Sequence, residues 1–124
     1  MKKVIATANA PKAVGPYSQA IEVNGTLYIS GQIPVNPADG SVPETIAEQT
    51  RQSLKNIGAI LAEAGMDYTD VVKTTVLLDD IANFKAANEV YAEFFTEDKP
   101  ARACYQVAAL PLGVKIEIEA VAVK

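Results

Sequence analysis

Arg102 is one of only two arginines in the chain. It follows Pro100-Ala101 at an expected strand start and shares a strand face with Cys104. A planar guanidinium grips two carboxylate oxygens at once. Arg102 therefore reads as an anchor for a substrate carboxylate; the alternative is an ordinary surface arginine with a glutamate partner. Arg51 falls in a long helical stretch and reads as solvated or structural. Glu117 and Glu119 alternate with Ile116 and Ile118, so both carboxylates share one face of the last strand. One pairing parity sets that face beside Arg102 and Cys104, where a carboxylate can orient or deprotonate a water. Otherwise the face is simply wet.

Three further residues complete the candidate set. Asn88 lies in a helical stripe, four residues after Phe84 and three before Tyr91. If buried it needs a hydrogen-bonding partner, which a ligand or another subunit could supply; otherwise it marks the edge of the stripe. Cys104 has no histidine to activate it, because the chain contains none, and reads as a small buried or pocket-lining residue rather than a nucleophile. Tyr17 is either a core aromatic or a pocket hydroxyl.

Composition narrows the chemistry. Without histidine there are no Ser-His or Cys-His pairs, no imidazole acid–base catalysis and no His-ligated metals. A single cysteine excludes an intrachain disulfide and a multi-Cys zinc site. The net charge of −4, with no basic run longer than Lys2-Lys3, argues against a nucleic-acid face. Lys2-Lys3 and the short apolar stretch after it only faintly resemble a signal peptide. No run approaches the ~20 apolar residues of a membrane span. The default expectation is a soluble cytoplasmic protein. At 124 residues, 49% apolar and 21% charged, it is expected to form one globular domain over residues 1–124.

The elements that must position these groups follow one another with short connections. Tyr17 to Val23 and Thr26 to Ile33 read as a hairpin around Asn24-Gly25, the dipeptide suited to a type I′ turn. Pairing Val23 with Thr26 and counting back sets Tyr17 opposite Gln32 and Ser18 opposite Gly31. Ser41-Val42-Pro43-Glu44 reads as a capping box. The helix after it carries Ile46, Thr50, Leu54, Ile57, Leu61 and Ala64 as a sheet-covering stripe and closes at Gly65. Val71 to Leu78, apolar on both faces, reads as a central, well-covered strand. Asp79-Asp80 starts a second helix running to about Phe95, with Ile81, Phe84, Tyr91 and Phe95 in its stripe. Arg102 to Ala108 and Val114 to Val123 form two more strands. The order β-β-α-β-α-β-β predicts an α+β fold, a mixed sheet with two helices on one face.

Taken in order, several segments resemble the RidA (YjgF) family of small deaminases. They are Gly15-Pro16-Tyr17-Ser18-Gln19-Ala20, Ser30-Gly31-Gln32-Ile33-Pro34, Val72-Lys73-Thr74-Thr75-Val76, and Phe84 with Asn88 and Tyr91. The most specific is Pro100-Ala101-Arg102-Ala103-Cys104, followed by Leu110-Pro111 and Ile116-Glu117-Ile118-Glu119-Ala120. The resemblance spans nearly the whole chain. It implies a chorismate-mutase-like α+β fold, a homotrimer and ligand sites in the clefts between subunits. The implied activity is hydrolysis of 2-iminopropanoate and 2-iminobutanoate to ammonia and 2-oxo acids. Arg102 matches the family's carboxylate-gripping arginine, and Glu117 the residue associated with the attacking water. Gly31, Cys104, Tyr17, Phe84 and Asn88 match positions lining the site.

That chemistry suits the composition. A protonated imine is already electrophilic, so the reaction calls for no metal, cofactor or covalent nucleophile. Anchoring the carboxylate, placing a water and moving protons suffice. The alternatives are a trimer that binds small carboxylates without turnover, in a regulatory role, and a chaperone-like surface protein.

Overall fold

Asn24 and Gly25 dictate the first hairpin. In the computed structural model, which describes residues 1–124, they take φ of 51° and 80°. Both values are left-handed, as a type I′ turn requires. The turn joins β2 (Ala20–Val23) to β3 (Thr26–Gln32), with Val23 paired to Thr26 as expected. A short strand absent from the sequence reading, β1 (Lys3–Ile5), pairs antiparallel with β2.

The hairpin ladder stops at Ala20 and Ile29, so β2 begins three residues later than expected and Tyr17 does not pair with Gln32. The backbone between is tied differently. Ser30 N–H donates to Gln19 O (2.9 Å), and Ser30 Oγ donates to Ser18 O (2.6 Å). The buried Gln19 amide donates to Pro11 O (2.8 Å) and accepts from Thr7 N–H (2.7 Å), so it orders the N-terminal segment instead of extending a strand.

The first long helix, α1 (Ile46–Glu63), also starts later than its expected cap. Thr45 Oγ1 accepts from Glu48 N–H (3.1 Å). Ser41 is committed to the preceding turn, where its N–H and Oγ donate to Asp39 Oδ1. Thr45-Ile46-Ala47-Glu48 has the same S/T-x-x-E pattern four residues downstream, and there the backbone can turn. Gly65, at φ 73°, follows the helix end. Thr50, Leu54, Ile57 and Leu61 are fully buried, and Ile46 and Ala64 pack at the edge of the core.

β4 (Val71–Leu78) has the expected bounds. With β5 (Ala101–Gln106) and β6 (Ile116–Val123) it completes a six-stranded sheet of order β1-β2-β3-β6-β4-β5. Only β4 and β5 run parallel, so the sheet is mixed. The second helix, α2 (Phe84–Phe94), is entered through a short 3₁₀ turn at Ile81–Asn83 that Asp80 caps. That turn breaks the helical period. Ile81 and Phe84 are consequently exposed, contrary to the expected stripe, and Ala87, Val90 and Phe95 are the buried positions.

The fold is the expected α+β architecture, with α1 and α2 on one face. Leu27, Ile29, Val76, Leu78, Ile116 and Ile118 point into that layer and are buried. The opposite face has no cover within the chain. Tyr28, Tyr105 and Val123 are 44–52% exposed there. β4 is thus central but covered on one side only. An apolar residue on each face reads as two covers, yet this chain supplies one.

Candidate functional site

Arg102 enters the site from the edge strand β5. It lies in register with the buried Thr74 and therefore on the helix-bearing face. α2 crosses above it. Arg102 Nη1 donates to Asn88 Oδ1 at 2.6 Å. Its guanidinium carbon lies 4.9 Å from the Tyr91 ring centre and 5.6 Å from that of Phe84. Both aromatic faces attract the cation. Tyr91 is fixed in turn by a 2.7 Å hydrogen bond between its hydroxyl and Thr74 Oγ1.

Arg102 is thus held by a neutral amide and two rings, with no carboxylate within 4.0 Å. Arg51, by contrast, has Glu93 at 2.7 Å and Glu48 at 3.6 Å. The glutamate partner of an ordinary surface arginine belongs to Arg51, not Arg102. Most of the Arg102 donor fork is left for something else. Asn88, whose partner was open in the sequence, spends its carbonyl on orienting that fork.

Cys104 is the next inward residue on β5, half-buried against Val76, Ile116 and Ile118 in a crevice with no room for a water. Burial pushes its thiol pKa up, and the Arg102 charge only partly opposes this. Burial thus disfavours the thiolate, which suits a lining role rather than a nucleophile.

A second cluster forms at the β3 bulge. Pairing of β3 with β6 jumps from Ile29–Ala120 to Gln32–Ile118, which leaves an extra residue on β3. The Glu117 carboxylate lies over the bare Gly31 backbone, where a Cβ would overlap Glu117 Oε2. Only glycine permits that approach. Burial, and after it the nearby Glu119 charge, raise the Glu117 pKa. Glu119 itself is exposed. Tyr17 is 51% exposed, so it is no core aromatic, and it walls a groove with Gly31 and Gln32.

The structure therefore gathers Arg102, Asn88, Phe84 and Cys104 in one place, and Glu117, Gly31 and Tyr17 in another. It does not unite the two in one chain. Glu117 is in register with Leu77, and Arg102 with Thr74. Adjacent residues of a strand face opposite ways. The parity that would set Glu117 beside Arg102 is not the one formed, and the two groups sit on opposite faces of the sheet. Tyr91, expected in the stripe of the second helix, and Thr74, part of the Val72–Val76 segment, were not among the candidate site residues but belong to the Arg102 mount. The three-residue step from Asn88 to Tyr91 was the available signal.

Comparison with known proteins locates this arrangement. The family model described as Endoribonuclease L-PSP matches residues 7–124. The chain belongs to that family, the RidA/YjgF family. The human protein named 2-iminobutanoate/2-iminopropanoate deaminase is 57% identical over 125 residues, covering 100% of this chain and 91% of its own. The crystal structure of the Escherichia coli YjgF gene product superposes with a TM-score of 0.94 at 51% identity, covering 98% of both chains. That of Escherichia coli TdcF with bound serine gives a TM-score of 0.94 at 46% identity, again over 98% of both. This chain thus shares with these two structures the overall backbone frame on which it mounts Arg102 and Glu117.

Proposed function

We propose that this chain is a 2-iminobutanoate/2-iminopropanoate deaminase that hydrolyses small 2-imino acids to 2-oxo acids and ammonia. The observation that carries the proposal is the Arg102 fork, oriented by Asn88, Phe84 and Tyr91 and free of any carboxylate. It is supported by the name of the human relative, and by the serine, a small α-carboxylate, bound to TdcF.

In the proposed reaction Arg102 grips the substrate carboxylate with two parallel hydrogen bonds. Glu117 orients a water toward the imine carbon and accepts its proton as the carbon–oxygen bond forms. The carbon–nitrogen π electrons pass to nitrogen, giving a carbinolamine. Proton transfer to nitrogen then lets ammonia leave as the carbonyl forms. A raised pKa makes the Glu117 carboxylate a better proton acceptor than an ordinary one, and it can later return the proton. No step calls for a metal or cofactor.

Because Arg102 and Glu117 sit on opposite faces of one chain, a complete site takes Arg102 from one copy and Glu117 from a second. The uncovered sheet face, carrying Tyr28, Tyr105 and Val123, is the surface on which copies associate, as a homotrimer. The proposed location is the cytoplasm. No helix is long and apolar enough to cross a membrane. The family's description mentions an endoribonuclease, but a histidine-free chain of net charge −4 is poorly suited to phosphodiester cleavage.

The test couples a pyridoxal-phosphate serine or threonine dehydratase to the purified chain and follows ammonia release above the uncatalysed rate. The wild type is expected to accelerate release, and Arg102→Ala to lose that acceleration while remaining folded. Arg102→Lys keeps the charge but not the planar fork and is also expected to be impaired. Full activity in folded Arg102→Ala would refute the anchor.

A further inference from the structure

An imino acid presents three groups on its reacting carbon: a carboxylate, a nitrogen and an alkyl chain. The proposed roles of Arg102 and Glu117 leave the alkyl chain without a place. A groove of about 310 Å³ is lined by Val14, Gly31, Ile33, Val35 and Leu112 together with polar groups such as Gln32, and the Glu117 carboxylate lies against its Gly31.

Its two outer walls are apolar and open. Val14 is 90% exposed and Leu112 77% exposed. Leu112 also sits at φ 58°, a left-handed conformation that disfavours leucine. The turn holding it is closed by backbone bonds, Gly113 N–H to Leu110 O (3.1 Å) and Val114 N–H to Pro111 O (3.3 Å). Those bonds need no particular side chain at position 112. A glycine or asparagine would meet the backbone at lower cost. The leucine side chain makes no buried core contact to offset that cost, and it projects at the groove.

We propose that Leu112 and Val14 are specificity-determining residues, the walls that receive the substrate's alkyl chain and set how large an imino acid is accepted. The proposal rests on the deaminase reading above. At about 30 Å³ per water-sized group, the ethyl group of 2-iminobutanoate fills only about a fifth of the 310 Å³ groove. A branched side chain therefore has room as well, with Val14, Ile33, Val35 and Leu112 among the groups it would meet.

Imines generated in situ from leucine and from alanine by an amino-acid oxidase are the probes. Leu112→Asn suits the left-handed backbone but replaces the apolar wall with an amide. The ratio of kcat/KM for the leucine-derived imine to that for the alanine-derived imine is expected to fall about tenfold or more, in the range that hydrophobic pockets discriminate. Val14→Asn is expected to move the ratio the same way. An unchanged ratio overturns the proposal. A second readout does not depend on turnover. The Leu112 and Val14 methyl resonances are followed during titration with 4-methyl-2-oxopentanoate or pyruvate. Larger shifts with the branched acid support the proposal, and methyls silent to both overturn it. A wild type inactive on every imine would instead overturn the deaminase reading, and the methyl titration would still decide the groove. Sedimentation equilibrium separates the remaining occupant. If Leu112→Asn lowers the assembled mass, the groove is a contact between copies and the proposal fails.

Discussion

Glu117 is the residue whose environment makes the sharpest demand. Partial burial and the Glu119 charge both disfavour its ionised form. As a base it must be ionised, so the rate should rise with pH through its raised pKa. Glu119→Gln removes the like charge, so the acid limb of the pH–rate profile is expected to move to lower pH with little loss at the plateau. A limb that stays in place would show that another group sets it. Glu117→Gln is expected to lower the rate about a hundredfold or more, the usual scale for losing a general base. The same shift acts on folding. A carboxyl whose folded pKa is raised loses stability as pH climbs from the unfolded value of about 4.3 through the folded one. The Tm difference between Glu117→Gln and wild type should therefore favour the variant more at pH 7 than at pH 3. A difference independent of pH would mean that Glu117 ionises as freely in the fold as out of it.

At the scale of elements, the cap of α1 is open to a direct comparison. Thr45 holds the Glu48 N–H, whereas Ser41 serves only the Asp39 turn. Thr45→Ala is expected to cost about 1 kcal/mol in urea denaturation, and Ser41→Ala much less. Equal costs would return the cap to Ser41. The misplaced cap illustrates what the sequence could and could not reveal. Signals contained in a local stretch were legible: the Asn24-Gly25 turn, Gly65 after α1, and β4 with its run of β-branched residues. Features set by a distant partner were not. β1 is three residues long and is a strand only because β2 lies beside it. Phe84 kept its place near Asn88, but the 3₁₀ turn before it rotated the ring from the core toward Arg102. The residues of the candidate site were legible by type, with Arg102 conspicuous by rarity. Their grouping was not, because the faces of Arg102 and Glu117 depend on the registers of β4, β5 and β6 together.

For the whole molecule, that register has a consequence that single variants cannot test. One chain carries Arg102 on its helix-bearing face and Glu117 on its bare face. If a site combines Arg102 of one copy with Glu117 of the next, two variants dead for different reasons can repair each other. Arg102→Ala keeps Glu117, and Glu117→Gln keeps Arg102. In a closed ring of three, every site joins two neighbours in a fixed direction. Mixed at random in equal amounts, roughly a quarter of such sites pair an intact Arg102 with an intact Glu117, since each of the two copies must be the right variant. Co-expression of the two variants is therefore expected to restore about a quarter of wild-type activity, although each alone is inactive. The restored activity should track the amount of mixed trimer separated by differently charged tags. If both groups acted within one chain, every site in the mixture would lack one of them and no activity would return. Co-expression without recovery, in mixtures proven to contain mixed trimers, would thus refute the shared site while leaving the role of each residue to its own variant.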